Sequence, residues 1–135
     1  MKATTPARLK RVLLIDDNEI DNFINERIIT STNFSEECTV KTSTDAAIDY
    51  LKSIGTDTTV LPQLIFLDLN MPGKDGFAFL EMFNSLDKGI RDFCRVVVLS
   101  SSISPDDINR ASAHPNVIKY LNKPLAEKYL EAIEL

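Results

Sequence analysis

Several residue types that carry common protein chemistries are scarce in this chain. Its 135 residues contain one histidine, two cysteines, four glycines and no tryptophan. The single histidine, His114, lies beside Pro115 in a predicted loop, which argues against a zinc site or a histidine-based triad. Cys38 and Cys94 are too few for a disulfide framework, so we expect two reduced thiols.

Long apolar runs and concentrated positive charge are also missing. No apolar stretch approaches membrane-spanning length, and the N-terminus lacks the apolar core of a signal peptide. We therefore expect a cytoplasmic protein without a membrane segment. The formal net charge is −5 and the basic residues are mostly scattered. This distribution argues against nucleic acid as a direct ligand, because phosphate backbones are held by clustered Lys and Arg.

Short apolar runs are plentiful, and they alternate with amphipathic segments. Runs of this length without polar alternation are typical of strands buried on both faces of a parallel sheet. Three of the intervening segments repeat apolar residues at helical spacing. The runs are Val12–Ile15, Leu64–Leu67, Val96–Leu99 and Val117–Asn122, and the helical positions are Ile20, Phe23, Ile24, Ile28, then Ala47, Tyr50, Leu51, Ile54, then Phe79, Phe83, Leu86. The pattern predicts an α/β fold read as βαβαβαβαβα.

Local punctuation places several helix boundaries. Gly55 is suited to end the second helix, and Ser104 followed by Pro105 predicts the start of the fourth. Pro124 predicts the start of the last helix. The length fits one domain, for which we expect a lead-in over residues 1–10 and the folded unit over residues 11–135.

Polar side chains follow the apolar runs at the point where each run ends. In an open parallel sheet these positions meet in a crevice at the carboxyl ends of the strands. Three clustered carboxylates repel one another unless a cation lies among them, and all-oxygen ligands favour Mg²⁺ or Mn²⁺. A hydroxyl and an ammonium suit phosphoryl oxygens, so the set predicts phosphoryl transfer onto an aspartate. The side chains are those of Asp16, Asp17, Asp68, Ser100 and Lys123.

The motifs around these residues resemble the receiver domains of two-component response regulators, most closely the stand-alone, chemotaxis-regulator-like members. The resemblance covers essentially the whole chain from Arg11 onward. It implies a flavodoxin-like, doubly wound, five-stranded parallel sheet of order 2-1-3-4-5 with helices on both faces. The matching segments are VLLIDDN at residues 12–18, LIFLDLNMPGKDG at 64–76, VVVLSSS at 96–102 and KYLNKPL at 119–125.

The resemblance also implies a role for each site residue. Asp68 matches the phosphoacceptor, Asp17 the direct metal ligand and Asp16 its partner that holds metal-bound water. The backbone carbonyl of Asn70 matches a further metal ligand. The remaining matches are Ser100 as the switch hydroxyl, Tyr120 as the switch aromatic, Lys123 as the phosphoryl contact with a cis bond to Pro124, and Met71-Pro72-Gly73 as the loop after the acceptor.

The partners implied are proteins. A histidine kinase or histidine phosphotransfer protein would supply the phosphoryl group, and the domain would catalyse only its own Mg²⁺-dependent phosphorylation and dephosphorylation. Output is expected through the face formed by the fourth helix, fifth strand and fifth helix, from a monomer or weak dimer. We expect no output domain beyond Leu135 and therefore signalling by protein binding or by a further phosphoryl transfer. Ser102, where relatives often carry larger side chains, leaves the lifetime of the phosphorylated state open.

Three alternatives remain at this point. An aspartate-nucleophile phosphatase would use similar groups, but it requires a second carboxylate where this chain has Asn70, and it needs an inserted cap. A dinucleotide-binding module would have a glycine-rich turn where Asp16-Asp17-Asn18-Glu19 stands. A degenerate receiver used only as a binding surface is disfavoured, because every acceptor-site residue is present.

Overall fold

The computed structural model of the chain describes residues 7–134, in which five strands and six helices follow one another. The strands are β1 (Leu9–Ile15), β2 (Ser35–Lys41), β3 (Leu64–Leu67), β4 (Arg95–Ser100) and β5 (Val117–Asn122). The helices are α1 (Glu19–Ser31), α2 (Thr44–Ile54), α3 (Gly76–Phe83), α4 (Lys88–Phe93), α5 (Pro105–Ser112) and α6 (Glu127–Ala132).

All strand pairs are parallel, and the order β2-β1-β3-β4-β5 confirms the predicted topology. The register determines which side chains meet. Ile15 pairs with Leu67, so Asp16 and Asp68 follow neighbouring strands at the same edge of the sheet. β4 lies on the other side of β3 and brings Ser100 to that edge. The predicted crevice at the carboxyl ends of the strands therefore exists.

Two apolar layers cover the sheet, because successive residues of a strand point to opposite faces. Leu13 and Ile15 pack with α2, α3 and α4, whereas Val12 and Leu14 pack with α1 and α6. Both layers are nearly sealed from solvent. This burial on both faces explains why the strands read as continuous apolar runs.

The amphipathic reading of α1 is wrong. Ile20, Phe23 and Ile24 were predicted to face the core, yet they are 71%, 64% and 43% exposed. The inner face of the helix carries Asn22, Asn25 and Ile29 instead. Asn22 Nδ2 donates to the carbonyl of Asp16 at 2.7 Å, so a polar contact to the end of β1 takes the place of an apolar one. The exposed apolar residues of α1 are called the α1 patch below.

Three further features of the helices differ from the prediction. Leu86, assigned to the third helix, lies beyond the end of α3 and packs into the core from the turn before α4. The short helix α4 was missed, although Asp87 caps it by accepting from the amide of Gly89. The last helix begins at Glu127 rather than at Pro124. The predicted fourth and fifth helices are therefore α5 and α6.

Other boundaries agree with the sequence. Gly55 ends α2 with a φ of 70°, and Pro105 stands in the first turn of α5, although the Ser104 side chain makes no capping bond. The sheet begins at Leu9, inside the segment assigned to a lead-in, and Arg8 donates to the carbonyl of Leu130 at 2.9 Å. The domain boundary itself stays a prediction. Across residues 7–134, none of the helices is long and apolar enough to cross a membrane.

Candidate functional site

Three carboxylates meet at the carboxyl edge of the sheet. Asp16, Asp17 and Asp68 each place an oxygen within 4.8 Å of the others. Asp16 is 1% exposed and Asp68 is 4% exposed, while Asp17 is open to solvent. Both residues lie just beyond β1, which ends at Ile15, but the Asp16 amide still donates to the carbonyl of Lys41 at the end of β2. The site therefore has a buried floor and one accessible carboxylate at its mouth.

Asp16 is held by hydrogen bonds on both carboxylate oxygens. Its Oδ1 accepts from the amide of Asn18 at 2.9 Å, and its Oδ2 accepts from Lys123 Nζ at 2.7 Å. Asn18 in turn caps α1. The residue is thus tied both to the first helix and to the loop after β5.

Asp68 is a buried carboxylate with a perturbed pKa. Burial, reinforced by the charge of Asp16, raises its pKa to about 6, against the opposing influence of Lys123. Its Oδ1 accepts from the amide of Asn70 at 3.2 Å. A buried carboxylate whose ionised form is disfavoured is stabilised by a cation bound beside it.

Lys123 connects the acidic residues. Its Nζ donates to Asp16 and, at 2.9 Å, to Asp21, and it lies 3.6 Å from Asp68 Oδ2. Burial alone would lower the pKa of Lys123, but the bonds to Asp16 and Asp21 outweigh it and raise the pKa above the ordinary lysine value. The lysine is therefore permanently charged. The bond to Pro124 is cis, as predicted.

Ser100 lies on the other side of Asp68 and is completely buried. Its Oγ accepts from the amide of Ser102 at 3.1 Å and from Asn70 Nδ2 at 3.4 Å. The hydroxyl of Ser102 donates to Asp107 on α5 at 2.7 Å. The Ser100 hydroxyl is thus linked to the loop after β3 through Asn70 and to α5 through Ser102.

Tyr120 lies on the edge strand β5 and packs against Leu69, Val98 and Ala111. Its hydroxyl donates to the carbonyl of Ser102 at 2.9 Å. The ring is half-buried. Tyr120 is therefore bonded to the same β4–α5 loop that contacts Ser100.

The donor set fits a hard divalent cation. All three clustered ligand groups are carboxylates, one is accessible, and no soft ligand is among them. Magnesium binds through one or two carboxylates and keeps several waters, which an open site permits. Both oxygens of Asp16 already accept hydrogen bonds, so Asp17 and Asp68 are the better candidates for direct ligation.

Comparison with known proteins identifies the family. The model of the response regulator receiver domain matches residues 12–133. The chain belongs to the response regulator receiver family. A crystal structure of a two-component response regulator from Cytophaga hutchinsonii superposes with a TM-score of 0.83 at 37% identity, covering 90% of this chain and 91% of that one.

A second relative is informative about metal. Response regulator Rcp1 from Synechocystis is 32% identical over 84% of this chain and 76% of its own length. The crystal structure of its Mn²⁺-bound form has a TM-score of 0.71 at 29% identity, covering 90% of this chain and 86% of that one. Receiver domains bind Mg²⁺ or Mn²⁺ at an acidic pocket. Membership of a signalling family sets aside the phosphatase and dinucleotide hypotheses.

The receiver domain brings Asp16, Asp17, Asp68, Ser100 and Lys123 to one edge of the sheet, whereas Tyr120 lies within β5 and packs against one face. The sequence analysis missed three contributors to the site. Asp21 binds Lys123, and Asn22 holds the Asp16 carbonyl. Gly76 begins α3 so close to Asp68 that a Cβ on Gly76 would lie 2.6 Å from the Asp68 carbonyl oxygen. Asp21 and Asn22 carried a signal, since polar residues flank the apolar positions in the first turn of α1. Gly76 carried only its place in the Asp75-Gly76 pair.

Proposed function

We propose that this receiver domain accepts a phosphoryl group on Asp68 from a histidine kinase or histidine phosphotransfer protein. One observation carries the proposal: the buried carboxylate of Asp68 has a raised pKa and lies close to the Lys123 ammonium and to the carboxylates of Asp16 and Asp17. An Asp68 oxygen forms the new bond to phosphorus, and the bond to the donor imidazole nitrogen breaks, with its electron pair returning to the ring.

The residues around Asp68 have separate tasks in this proposal. Asp17 and Asp68, with the carbonyl of Asn70, would hold Mg²⁺, and Asp16 would orient water at the ion. The ion supplies charge neutralisation for the phosphoryl oxygens. Lys123 and the Ser100 hydroxyl each contact one phosphoryl oxygen. Hydrolysis later removes the phosphate.

Labelling with a small phosphodonor tests the acceptor. Incubation with Mg²⁺ and acetyl phosphate, trapping with hydride and mass spectrometry should place one label on Asp68. Asp68→Asn should take up none, and Asp57→Asn, at an exposed aspartate outside the site, serves as the matched control. A label elsewhere, or undiminished labelling of Asp68→Asn, contradicts the assignment.

The two acidic neighbours should differ in metal binding. Asp17→Asn loses a direct ligand, so Mg²⁺-dependent labelling should almost disappear. Asp16→Asn keeps both direct ligands but loses the orientation of bound water and the charged bond to Lys123; loss of such an outer contact typically costs about 10–100-fold. Titration calorimetry with Mg²⁺ measures both variants. Equal affinities for wild type and the two variants would rule out the shared site.

The α1 patch is the proposed docking surface for the phosphodonor. Ile20, Phe23 and Ile24 are exposed on the helix that begins beside Asp17. Ile24 lines a cavity together with Lys123 and Pro124. A protein that delivers phosphate to Asp68 must approach this mouth, and exposed apolar residues beside it offer the buried contact that a transient complex needs.

Two phosphodonors separate docking from chemistry. Phe23→Ser should slow phosphorylation by a histidine phosphotransfer protein and leave labelling by acetyl phosphate unchanged, because the small donor needs no docking. Ile103→Ser, at another exposed apolar residue, is the control. Equal rates with the protein donor for Phe23→Ser and wild type would place the docking surface elsewhere.

The signal is proposed to leave through α5, β5 and α6. Movement of Ser100 toward the phosphate would break its bond with the Ser102 amide and disturb the loop that holds Tyr120 and α5. In α5 only Ala111 is buried, so little apolar contact resists its movement.

Beryllofluoride, a phosphoryl mimic, tests this path. Ser100→Ala should bind it at Asp68 without the amide NMR shifts that wild type shows around Ile108 and Tyr120. Ser101→Ala, at an exposed neighbouring serine, is the control. Equal shifts in Ser100→Ala and wild type would refute a role for the hydroxyl.

A further inference from the structure

The lysine of the site is closer to a carboxylate on α1 than to the proposed phosphoacceptor. Lys123 Nζ lies 2.9 Å from Asp21 Oδ2 and 3.6 Å from Asp68 Oδ2. The first distance is that of a charge-assisted hydrogen bond, and the second is too long for one. In the unphosphorylated domain, therefore, Asp21 rather than Asp68 shares the ammonium with Asp16.

Asp21 is fixed in this position by the start of α1. Its amide donates to the Oδ1 of Asn18, the N-cap residue, at 3.0 Å. The next residue, Asn22, is tied to the Asp16 carbonyl. Both flanking contacts anchor the first turn to the end of β1, so the Asp21 carboxylate is presented toward Lys123 by a rigid element.

The contact between Lys123 and Asp21 borders an open cavity. A cavity of about 360 Å³ adjoins the ion pair. It is lined by Asp21, Ile24, Asn25, Ser101, Lys123 and Pro124. Only 16% of the Lys123 side chain is exposed, against 36% for Asp21. Asp21 is thus the more solvated partner, and its bond is the weaker of the two short bonds that the Lys123 ammonium makes.

We propose that Asp21 is a positioning residue that holds the Lys123 ammonium away from Asp68 until a phosphoryl group competes for it. The phosphoryl oxygens then replace Asp21 as hydrogen-bond acceptors of the Lys123 ammonium, while Asp16 remains in place beside it. This inference rests on the proposed function. The Asp21 carboxylate thereby destabilises the phosphorylated state, since loss of the Lys123–Asp21 bond offsets part of the lysine–phosphoryl attraction. We call this effect the Asp21 brake.

Removing the competing charge should strengthen binding of a phosphoryl mimic. Asp21→Asn keeps the size of the side chain and should increase the apparent affinity for beryllofluoride in Mg²⁺ by about two- to fivefold, the range for a partly exposed ion pair. Asp21→Glu restores the charge and should return the affinity toward wild type. Asp21→Ser provides a second neutral variant that also suits the first turn of a helix.

A double-mutant cycle tells positioning from a general structural effect. If Asp21 acts through the lysine, Asp21→Asn should change the affinity in wild type but not in a Lys123→Ala background. In metal-free protein, NMR of the lysine ammonium should show a shifted Lys123 signal in Asp21→Asn and a nearly native one in Asp21→Glu. This second measurement needs neither Mg²⁺ nor a phosphoryl mimic.

The outcomes separate this inference from the proposed function. If wild type binds beryllofluoride and Asp21→Asn binds it equally well or more weakly, the brake is wrong and the acceptor assignment stands. An effect of the same size in the Lys123→Ala background also overturns it. If wild type fails to bind beryllofluoride and takes no label on Asp68, the proposed function is wrong and the inference falls with it.

Discussion

Replacing the proposed phosphoacceptor should make the metal-free domain more stable. Asp68 is 4% exposed, and its pKa is raised from 3.8 to about 6, first by burial and then by the Asp16 charge. In the unfolded chain the carboxyl group ionises at its ordinary value. The folded state therefore holds a proton that the unfolded state has released, and ionising Asp68 above this range costs stability.

The size of the effect follows from the same shift. A rise from 3.8 to about 6 corresponds to about 3 kcal/mol. This shift already includes the opposing attraction of Lys123, 3.6 Å away, so we expect Asp68→Asn to gain up to about 3 kcal/mol near pH 8. The asparagine oxygen still accepts from the Asn70 amide. The free-energy cost of ionising Asp68 in the folded state is absent below the pKa that Asp68 has in the unfolded chain. It develops as pH rises to about 6 and is complete above that pH.

Urea unfolding in chelator at several pH values measures this difference. The advantage of Asp68→Asn should be largest at about pH 8 and shrink toward about pH 4. Mg²⁺ should narrow it, because a bound cation stabilises the wild-type carboxylates by mass action. Asp92→Asn, which removes an exposed helix ion pair with Lys88, should bring no gain. An Asp68→Asn domain no more stable than wild type at high pH refutes the electrostatic reasoning.

Three further predictions concern other parts of the fold. Gly76→Ala should destabilise by about 1–3 kcal/mol in urea unfolding and impair Asp68 labelling, because its Cβ would meet the Asp68 backbone; Gly73→Ala, strained by a φ of 73° but with open space around it, should leave labelling intact. Burial lowers the pKa of His114, so the contribution of His114 to stability is present above its pKa in the unfolded chain and is lost as pH falls through its pKa in the folded protein. The difference in unfolding free energy between wild type and His114→Gln should therefore shrink on acidification. A difference that stays constant with pH contradicts this. Arg8→Ala should lower the thermal midpoint because it loses a bond to the end of α6, whereas Lys10→Ala, at an exposed neighbour, should not.

Much of the site was readable without the structure because its residues follow apolar runs. A parallel sheet aligns the ends of its strands, so Asp16, Asp68 and Ser100 had to approach one another once the runs were recognised as neighbouring strands. The strand order and the cis bond before Pro124 came from the family resemblance, and both are confirmed. The identity of the groups that carry the chemistry is thus written in local sequence.

The surroundings of the site were decided by tertiary packing. Periodicity placed Ile20 and Phe23 toward the core, but the first turn of α1 is bound to β1 through Asn22, which turns those apolar side chains outward. The spacing of apolar residues predicts that α1 has two different faces, but the polar contacts of α1 with the end of β1 determine which face is buried. The short helix α4 likewise depends on packing of Ile90 rather than on a long repeat.

The sequence by itself therefore determined the sheet, the acidic edge and the family, since each depends on runs and motifs within a few residues. Only the tertiary structure decided where charge is shared. The bond between Lys123 and Asp21 joins residues 102 positions apart, and the close approach of Gly76 to the Asp68 backbone depends on how α3 leaves the acceptor loop. Such contacts are set by the distances between elements, which no local pattern encodes.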